Sequence, residues 1–172
     1  MSYSLQIYSV KFDELRAAIG SKNVALSQRV IAENCEEIES IDEWFADEIE
    51  EDECPPAAQA VEELICGTPS PSEDAAPQYL YALELICRSL GERVAHDVDI
   101  EEFDSINEDH LLRRCPISIE DLPDFPGIGY LEAEECASEL ERQSKNPERS
   151  QVLEETLNRA VDRKSGLIFF YY

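Results

Sequence analysis

The sequence predicts an α+β protein, mainly α, and three features of the chain carry that prediction. Residues 3–10 alternate apolar and polar side chains, residues 166–172 are almost wholly apolar and aromatic, and most of the chain between them repeats its apolar residues at three- and four-residue steps. Alternation is typical of a half-buried strand, and steps of three and four are typical of an amphipathic helix. We therefore expect helices around a small sheet that pairs the N- and C-terminal strands.

The first third of the chain predicts one strand and several helices. After the strand at 3–10, a short helix runs from Phe12 to Ile19 and ends at Gly20, and Asn23 is suited to capping a second helix. From residue 36 to 53 acids dominate, yet Ile38, Ile41, Trp44, Phe45 and Ile49 recur at helical steps. This stretch predicts an amphipathic helix with Trp44 facing the core.

A buried helix at residues 78–90 is the predicted centre of the fold. Its sequence, QYLYALELICRSL, leaves only scattered polar positions, and Gly91 follows as its C-terminal cap. A helix that is apolar on all sides has to be buried on all sides. The helix before it begins after Pro55 and Pro56 and is closed by Gly67.

The last part of the chain predicts short elements separated by a stiff loop. We expect a strand at 93–98, a helix within 99–115, a proline- and glycine-rich loop at 116–130, a helix at 131–143 and another starting at Asn146. The final segment, 166–172, is too short and too aromatic for a helix and predicts a buried strand. At 172 residues the whole chain, 1–172, is expected to form a single domain.

The net charge of -25 is unevenly distributed along the chain. Between Arg29 and Arg88 there are 17 acids and no lysine or arginine. An acidic surface disfavours direct binding to nucleic acid and to anionic membranes. A basic protein is the complementary partner, and the partner-binding acids would be Glu39, Asp42, Glu43, Asp47 and Glu50. The alternative is that these acids only maintain solubility.

Six widely spaced cysteines and the N-terminal sequence predict the compartment. The cysteines form no CxxC pattern and three have aliphatic neighbours, as reduced core thiols do. Neither a basic leader nor a run of about 20 apolar residues is present, so we expect a cytoplasmic protein outside the membrane. No pattern for a cofactor, a metal ion or a catalytic group stands out.

Two further stretches are alternative sites. The 123–130 loop presents Phe125, Ile128 and Tyr130 on a stiff backbone and would be a partner contact if exposed; the other interpretation is that these side chains plug the core. An enzyme of unknown class would have its site near His96, His110 and this loop. A third hypothesis is an acidic mimic of nucleic acid, which requires carboxylates at phosphate-like spacing.

Three segments resemble a known group of proteins. The opening MSYSLQIYSV, the segment PDFPGIGYL and the ending KSGLIFFYY resemble small bacterial cytoplasmic proteins that are loosely similar to the YfbM-like family. The resemblance covers the two ends and one loop. It implies an α+β fold with helices around a small terminal sheet and, for some relatives, a role beside toxin systems. Together with the acidic middle third, it favours an acidic protein-binding module, for instance an immunity-type or inhibitory protein.

Overall fold

The computed structural model describes residues 4–69, 74–103, 106, 115–119, 126–146 and 150–172. The strands there are β1 Ser4–Val10, β2 Glu92–Asp99, β3 Gly127–Leu131 and β4 Gly166–Tyr171. The α-helices there are α1 Phe12–Ala18, α2 Val24–Glu33, α3 Cys35–Trp44, α4 Ala46–Glu50, α5 Ala57–Cys66, α6 Ala76–Leu90, α7 Ala133–Ser144 and α8 Gln151–Arg163, and Ile100–Phe103 forms a 3-10 helix. The predicted class, α+β and mainly α, is confirmed.

The chain divides into two compact units, and each is assembled from separate stretches. The sheet unit comprises residues 1–14, 90–116 and 127–172, and the helical unit comprises residues 15–89 and 117–126. The two ends of the chain therefore belong to the same unit. The prediction of a single domain over 1–172 stays a prediction.

The four described strands form one antiparallel sheet in the order β2-β1-β4-β3. Leu5 lies opposite Tyr171 and Val10 opposite Gly166, so the predicted pairing of the terminal strands is confirmed. β4 is hydrogen-bonded to β1 on one side and to β3 on the other. The C-terminal strand is therefore an inner strand, which explains why nearly all of its side chains are apolar.

One core cluster of the sheet unit lies on one face of this sheet. Leu5 and Ile7 of β1 alternate with residues of the other face, and they cluster with Leu167 and Phe169 of β4. Helices α7 and α8 cover this face with four fully buried side chains: Cys136, Leu153, Leu157 and Ala160. The 3-10 helix adds Phe103, whose ring packs edge-on against Phe169 with centroids 6.0 Å apart.

The helical unit contains the helix that the sequence places at its centre. The structure has α6 at Ala76–Leu90, and its buried residues include Leu80, Ala82, Leu83, Ile86 and Cys87, each at 0% exposure. The predicted buried helix at 78–90 is confirmed. In the same unit, α5 ends at Gly67 in the left-handed region, with φ of 75°. The backbone N–H groups of Gly20 and Lys22 donate to the carbonyls of Leu64 and Ile65, which satisfies carbonyls that the end of α5 leaves open.

The predicted helix at 36–53 is interrupted. α3 ends at Trp44, Phe45 leaves the helical conformation with φ of -109°, and α4 resumes at Ala46. The buried residues of α3 are Ile38 and Ile41, and Phe45, four residues after Ile41, continues that stripe as a half-buried side chain. Trp44 lies about 100° around the helix from Phe45. The prediction that Trp44 faces the core is therefore wrong: its side chain is 66% exposed.

Candidate protein-docking surface

Four of the five predicted partner-binding acids are exposed on α3 and α4. Glu39 and Glu43 lie on α3, and Asp47 and Glu50 lie on α4. Among the residues that the structure describes, none of these four carboxylates forms an ion pair or a hydrogen bond with a side chain. With the neighbouring exposed Trp44, they are called the acid-tryptophan surface below. Its charges face only water.

Ion pairs with the nearest cations stop short of this surface. Arg29 contacts Glu33 within α2 at 3.9 Å, and Arg88 at the end of α6 binds Glu37 on α3. These are the arginines that flank the cation-free stretch of the sequence. The surface therefore keeps its full negative charge. A cation from another molecule would meet no competing internal partner.

Trp44 rests on buried aromatic residues while most of its ring faces solvent. Its ring centroid lies 5.9 Å from that of Tyr81 on α6, at an interplanar angle of 61°. Phe45 packs on the same Tyr81 ring at 5.7 Å. Tyr81 is only 8% exposed, and burial, with a smaller contribution from Glu84, raises the pKa of its phenol to about 12. The indole is thus supported from below by a neutral ring.

Asp42, the fifth predicted acid, is occupied inside the helical unit. Its Oδ1 accepts a hydrogen bond from the backbone N–H of Ala57 at 2.7 Å and lies 3.5 Å from Nε2 of the fully buried Gln78. Ala57 is the first residue of α5, and the residue before it, Pro56, has no side-chain oxygen to cap the helix. Asp42 therefore caps α5 from a distance. These contacts give Asp42 a structural role, and its role in partner binding stays a prediction.

The 123–130 segment does not present the predicted contact surface. Phe125 lies outside the described residues, and Ile128 is 2% exposed within β3. Tyr130 is half-buried and packs edge-on against Phe12, with ring centroids 5.2 Å apart. Residues 127–131 form an edge strand, most of it buried, where the prolines and glycines predict a loop. The interpretation that these side chains fill the core holds for Ile128.

Among the described residues, the fold does not bring His96 close to residues 126–130. His96 lies exposed on β2, while Ile128 and Tyr130 lie on β3, and these strands form opposite edges of the sheet. The Nδ1 of His96 is 2.6 Å from Oε1 of Gln6, and its Nε2 is 3.0 Å from Asp97. These contacts hold a bulged edge strand in which Asp97 has φ of 50°. His110 lies outside the described residues.

The described cysteines and possible metal ligands do not form a second candidate site. None of the six cysteines forms a disulfide; three of them, Cys54, Cys87 and Cys136, are buried, whereas Cys35 is exposed at the start of α3. Within the described ranges no three histidine, cysteine or acidic side chains cluster as metal ligands. No helix in that part of the chain is long and apolar enough to cross a membrane.

Two features of the surface were missed from the sequence, and one had a detectable signal. Pro55-Pro56 starts α5 without a capping side chain, so an acceptor from elsewhere in the chain is required, and Asp42 supplies it. The exposure of Trp44 had no such signal, because no glycine or proline marks the break at Phe45.

Comparison with known proteins identifies the family. The chain belongs to the family described as a domain of unknown function, DUF7691, whose model matches residues 1–172. No curated protein and no solved structure matches the chain.

Proposed function

We propose that this protein is an acidic protein-binding module, of the immunity or inhibitory type, that covers a basic surface of its partner with the acid-tryptophan surface. The observation that carries the proposal is the exposed Trp44 among four carboxylates that have no cation partner within the described residues. The resemblance to YfbM-like proteins, some of which are suspected to act beside toxin systems, supports the same reading. The six cysteines, none of which forms a disulfide, support a cytoplasmic site of action.

Trp44 suits the centre of an interface. Tryptophan is among the residues most enriched at binding hot spots, because it buries a large area with few rotatable bonds. An exposed indole also attracts lysine or arginine over its ring face. Trp44 already rests on Tyr81, so little of its side-chain freedom remains to be lost on binding.

The four carboxylates suit the encounter with a basic partner. Complementary charge raises the association rate of two proteins and selects against partners of the wrong sign. The same charge repels nucleic acid and anionic lipid, which need a cationic protein surface. A basic protein, such as a toxin or nuclease with a cationic surface, therefore fits the surface best.

The test compares matched variants of the protein on one partner. The partner is captured from the native host cytosol, eluted with a salt gradient, purified and measured by surface plasmon resonance. The acid variant carries Glu39→Gln, Glu43→Gln, Asp47→Asn and Glu50→Gln. A control variant removes four exposed acids of the sheet unit, Asp13→Asn, Glu134→Gln, Glu155→Gln and Asp162→Asn, so both variants have the same net charge.

We expect the acid variant to associate about tenfold more slowly than the control variant at low salt, because local charge steers the encounter. Trp44→Ala should mainly speed dissociation, about tenfold or more, since a hot-spot residue acts in the bound complex. Equal slowing by both quadruple variants would show that only the net charge matters. Unchanged kinetics in all three variants would refute the docking surface.

A further inference from the structure

The sheet unit contains a second, separate feature at the end of its sheet. A cavity of about 330 Å³ lies where β1 leads into α1 and where α8 leads into β4. Its lining includes Ser9, Lys11, Glu14, Gly91, Arg163 and Ser165. This volume is at the lower end of the range for small-molecule sites. None of these residues belongs to the acid-tryptophan surface.

Two cations line this cavity in a chain that has few. Lys11 contacts Glu14 at 3.2 Å, and Arg163 binds Glu92; all four side chains are about half exposed. Exposed ion pairs of this kind contribute little free energy, so a better anion can displace the carboxylates.

Two buried hydroxyls complete the lining. Ser9 and Ser165 are 1% and 2% exposed, and their Oγ atoms lie 2.5 Å apart. The Ser165 Oγ is also 3.3 Å from the carbonyl oxygen of Ala160. Since Ser165 donates to the Ala160 carbonyl, Ser9 donates to Ser165, and both hydroxyl hydrogens have acceptors within the protein. These hydroxyls tie β1 to the segment between α8 and β4 and so fix this end of the cavity.

We propose that this cavity binds a small oxyanion, a phosphate or carboxylate group, between Lys11 and Arg163. Guanidinium and ammonium groups are the side chains that bind such anions, and charge-assisted hydrogen bonds are the strong ones. Gly91 has no side chain, which leaves that wall open to the ligand. The site goes beyond the proposed docking function and uses different residues.

The test is a titration of the 15N-labelled protein with inorganic phosphate and, separately, with acetate, at constant ionic strength. We expect saturable chemical-shift changes at the amides of Ser9, Lys11, Gly91 and Ser165 with at least one of the two probes. Comparing the probes distinguishes a phosphate site from a carboxylate site. The double variant Lys11→Ala, Arg163→Ala should weaken the apparent affinity at least tenfold, because each removed cation loses a charge-assisted bond.

A matched double variant controls for charge. Arg142→Ala with Lys145→Ala removes two exposed cations near the end of α7, both paired with acids of the same helix. This variant should keep the wild-type affinity, and the spectra of both variants should retain native dispersion. Shifts that rise linearly without saturation would overturn the site. So would an equal loss of affinity in both double variants.

Discussion

At the scale of single residues, variants of Asp42 distinguish an effect on stability from an effect on partner binding. Asp42→Ala should lower the free energy of unfolding by about 1 kcal/mol, because the N-terminus of α5 loses its acceptor for the Ala57 N–H. Asp42→Asn keeps a side-chain oxygen and should cost less. Glu43→Ala, next to it but exposed, should change stability by less than about 0.5 kcal/mol.

Urea unfolding of the three variants measures these differences. Equal stability of Asp42→Ala and Glu43→Ala would contradict the capping role. The same experiment bears on the acidic surface, because a loss of binding in Asp42→Ala would then have a structural explanation that Glu43→Ala does not share.

A buried thiol predicts the alkaline limit of stability. Burial raises the pKa of the Cys136 thiol from 9.0 to about 12. The thiol ionises at a lower pH in the unfolded protein than in the folded one, so a rising pH favours the unfolded state. The free energy of unfolding is therefore unaffected by this thiol below pH 9 and falls as the pH rises toward 12. Between pH 8 and pH 10 the wild type should lose about 1 kcal/mol more than Cys136→Ala does.

The measurement is the urea-unfolding free energy at several pH values in reducing buffer. Cys35→Ala, which removes an exposed thiol, should follow the wild type. A Cys136→Ala variant with the same alkaline slope as the wild type would exclude the thiol as the cause.

The sequence predicts the burial of a single side chain correctly where that burial depends on a repeating apolar pattern. Leu5 and Ile7 are core residues because strand alternation fixes their side. Trp44 was misassigned because it sits where α3 ends, and there a shift of one residue moves a side chain by about 100°. Sequence periodicity does not resolve such a shift.

At the scale of elements, β4 holds the sheet together. It is the strand that bonds both β1 and β3, and four of its residues, Leu167, Ile168, Phe169 and Phe170, are fully buried. Deleting residues 167–172 should therefore unfold the sheet unit or cause aggregation, because the remaining strands lose both hydrogen bonds and core contacts. Light scattering and calorimetry of the truncated chain measure this.

A milder change tests the same strand without removing it. Phe169→Ala should cost about 3–5 kcal/mol, since its ring packs against Phe103 within the core. Asn158→Ala, on the exposed side of α8, is a control that should be nearly neutral. A truncated chain that stays soluble and melts cooperatively would contradict the central role of β4.

Element prediction depended on one-sided patterns. The terminal strands and α6 were predictable because most of their side chains are apolar, so each element can only be placed inside the protein. β3 was missed because Gly127 and Gly129 hide its alternation and two of its five residues carry no side chain to count. The 3-10 turn at Ile100–Phe103 replaces the start of the predicted helix at 99–115, most of which lies outside the described residues.

At the scale of the whole molecule, charge is distributed by region. The 17 acids between Arg29 and Arg88 have no cation in their own stretch of chain, whereas two acids of α7, Glu139 and Glu141, form ion pairs with cations one turn away. Charges of one sign without internal partners reduce stability through repulsion. The acid-tryptophan surface is therefore a place where stability is lowered, and the proposed basic partner would relieve that repulsion on binding.

This repulsion gives a prediction that needs no partner. The melting temperature should rise with sodium chloride concentration, because the screening length falls from about 30 Å at 0.01 M to about 3 Å at 1 M. The acid variant with Glu39→Gln, Glu43→Gln, Asp47→Asn and Glu50→Gln should melt above the wild type at 0.01 M salt. At 1 M the two should converge, since screened charges no longer distinguish them.

Calorimetry across the salt series measures both effects, with the sheet-unit control variant Asp13→Asn, Glu134→Gln, Glu155→Gln and Asp162→Asn beside them. At 0.01 M salt the control should gain less than the acid variant, because Lys11 and Arg163 lie near its sites and already offset part of the repulsion. A wild-type melting temperature that falls with salt would mean that ion pairs such as Arg88 with Glu37 outweigh the repulsion. In that case the acidic surface would carry no strain for a basic partner to relieve, and the charge of α3 and α4 would contribute to solubility alone.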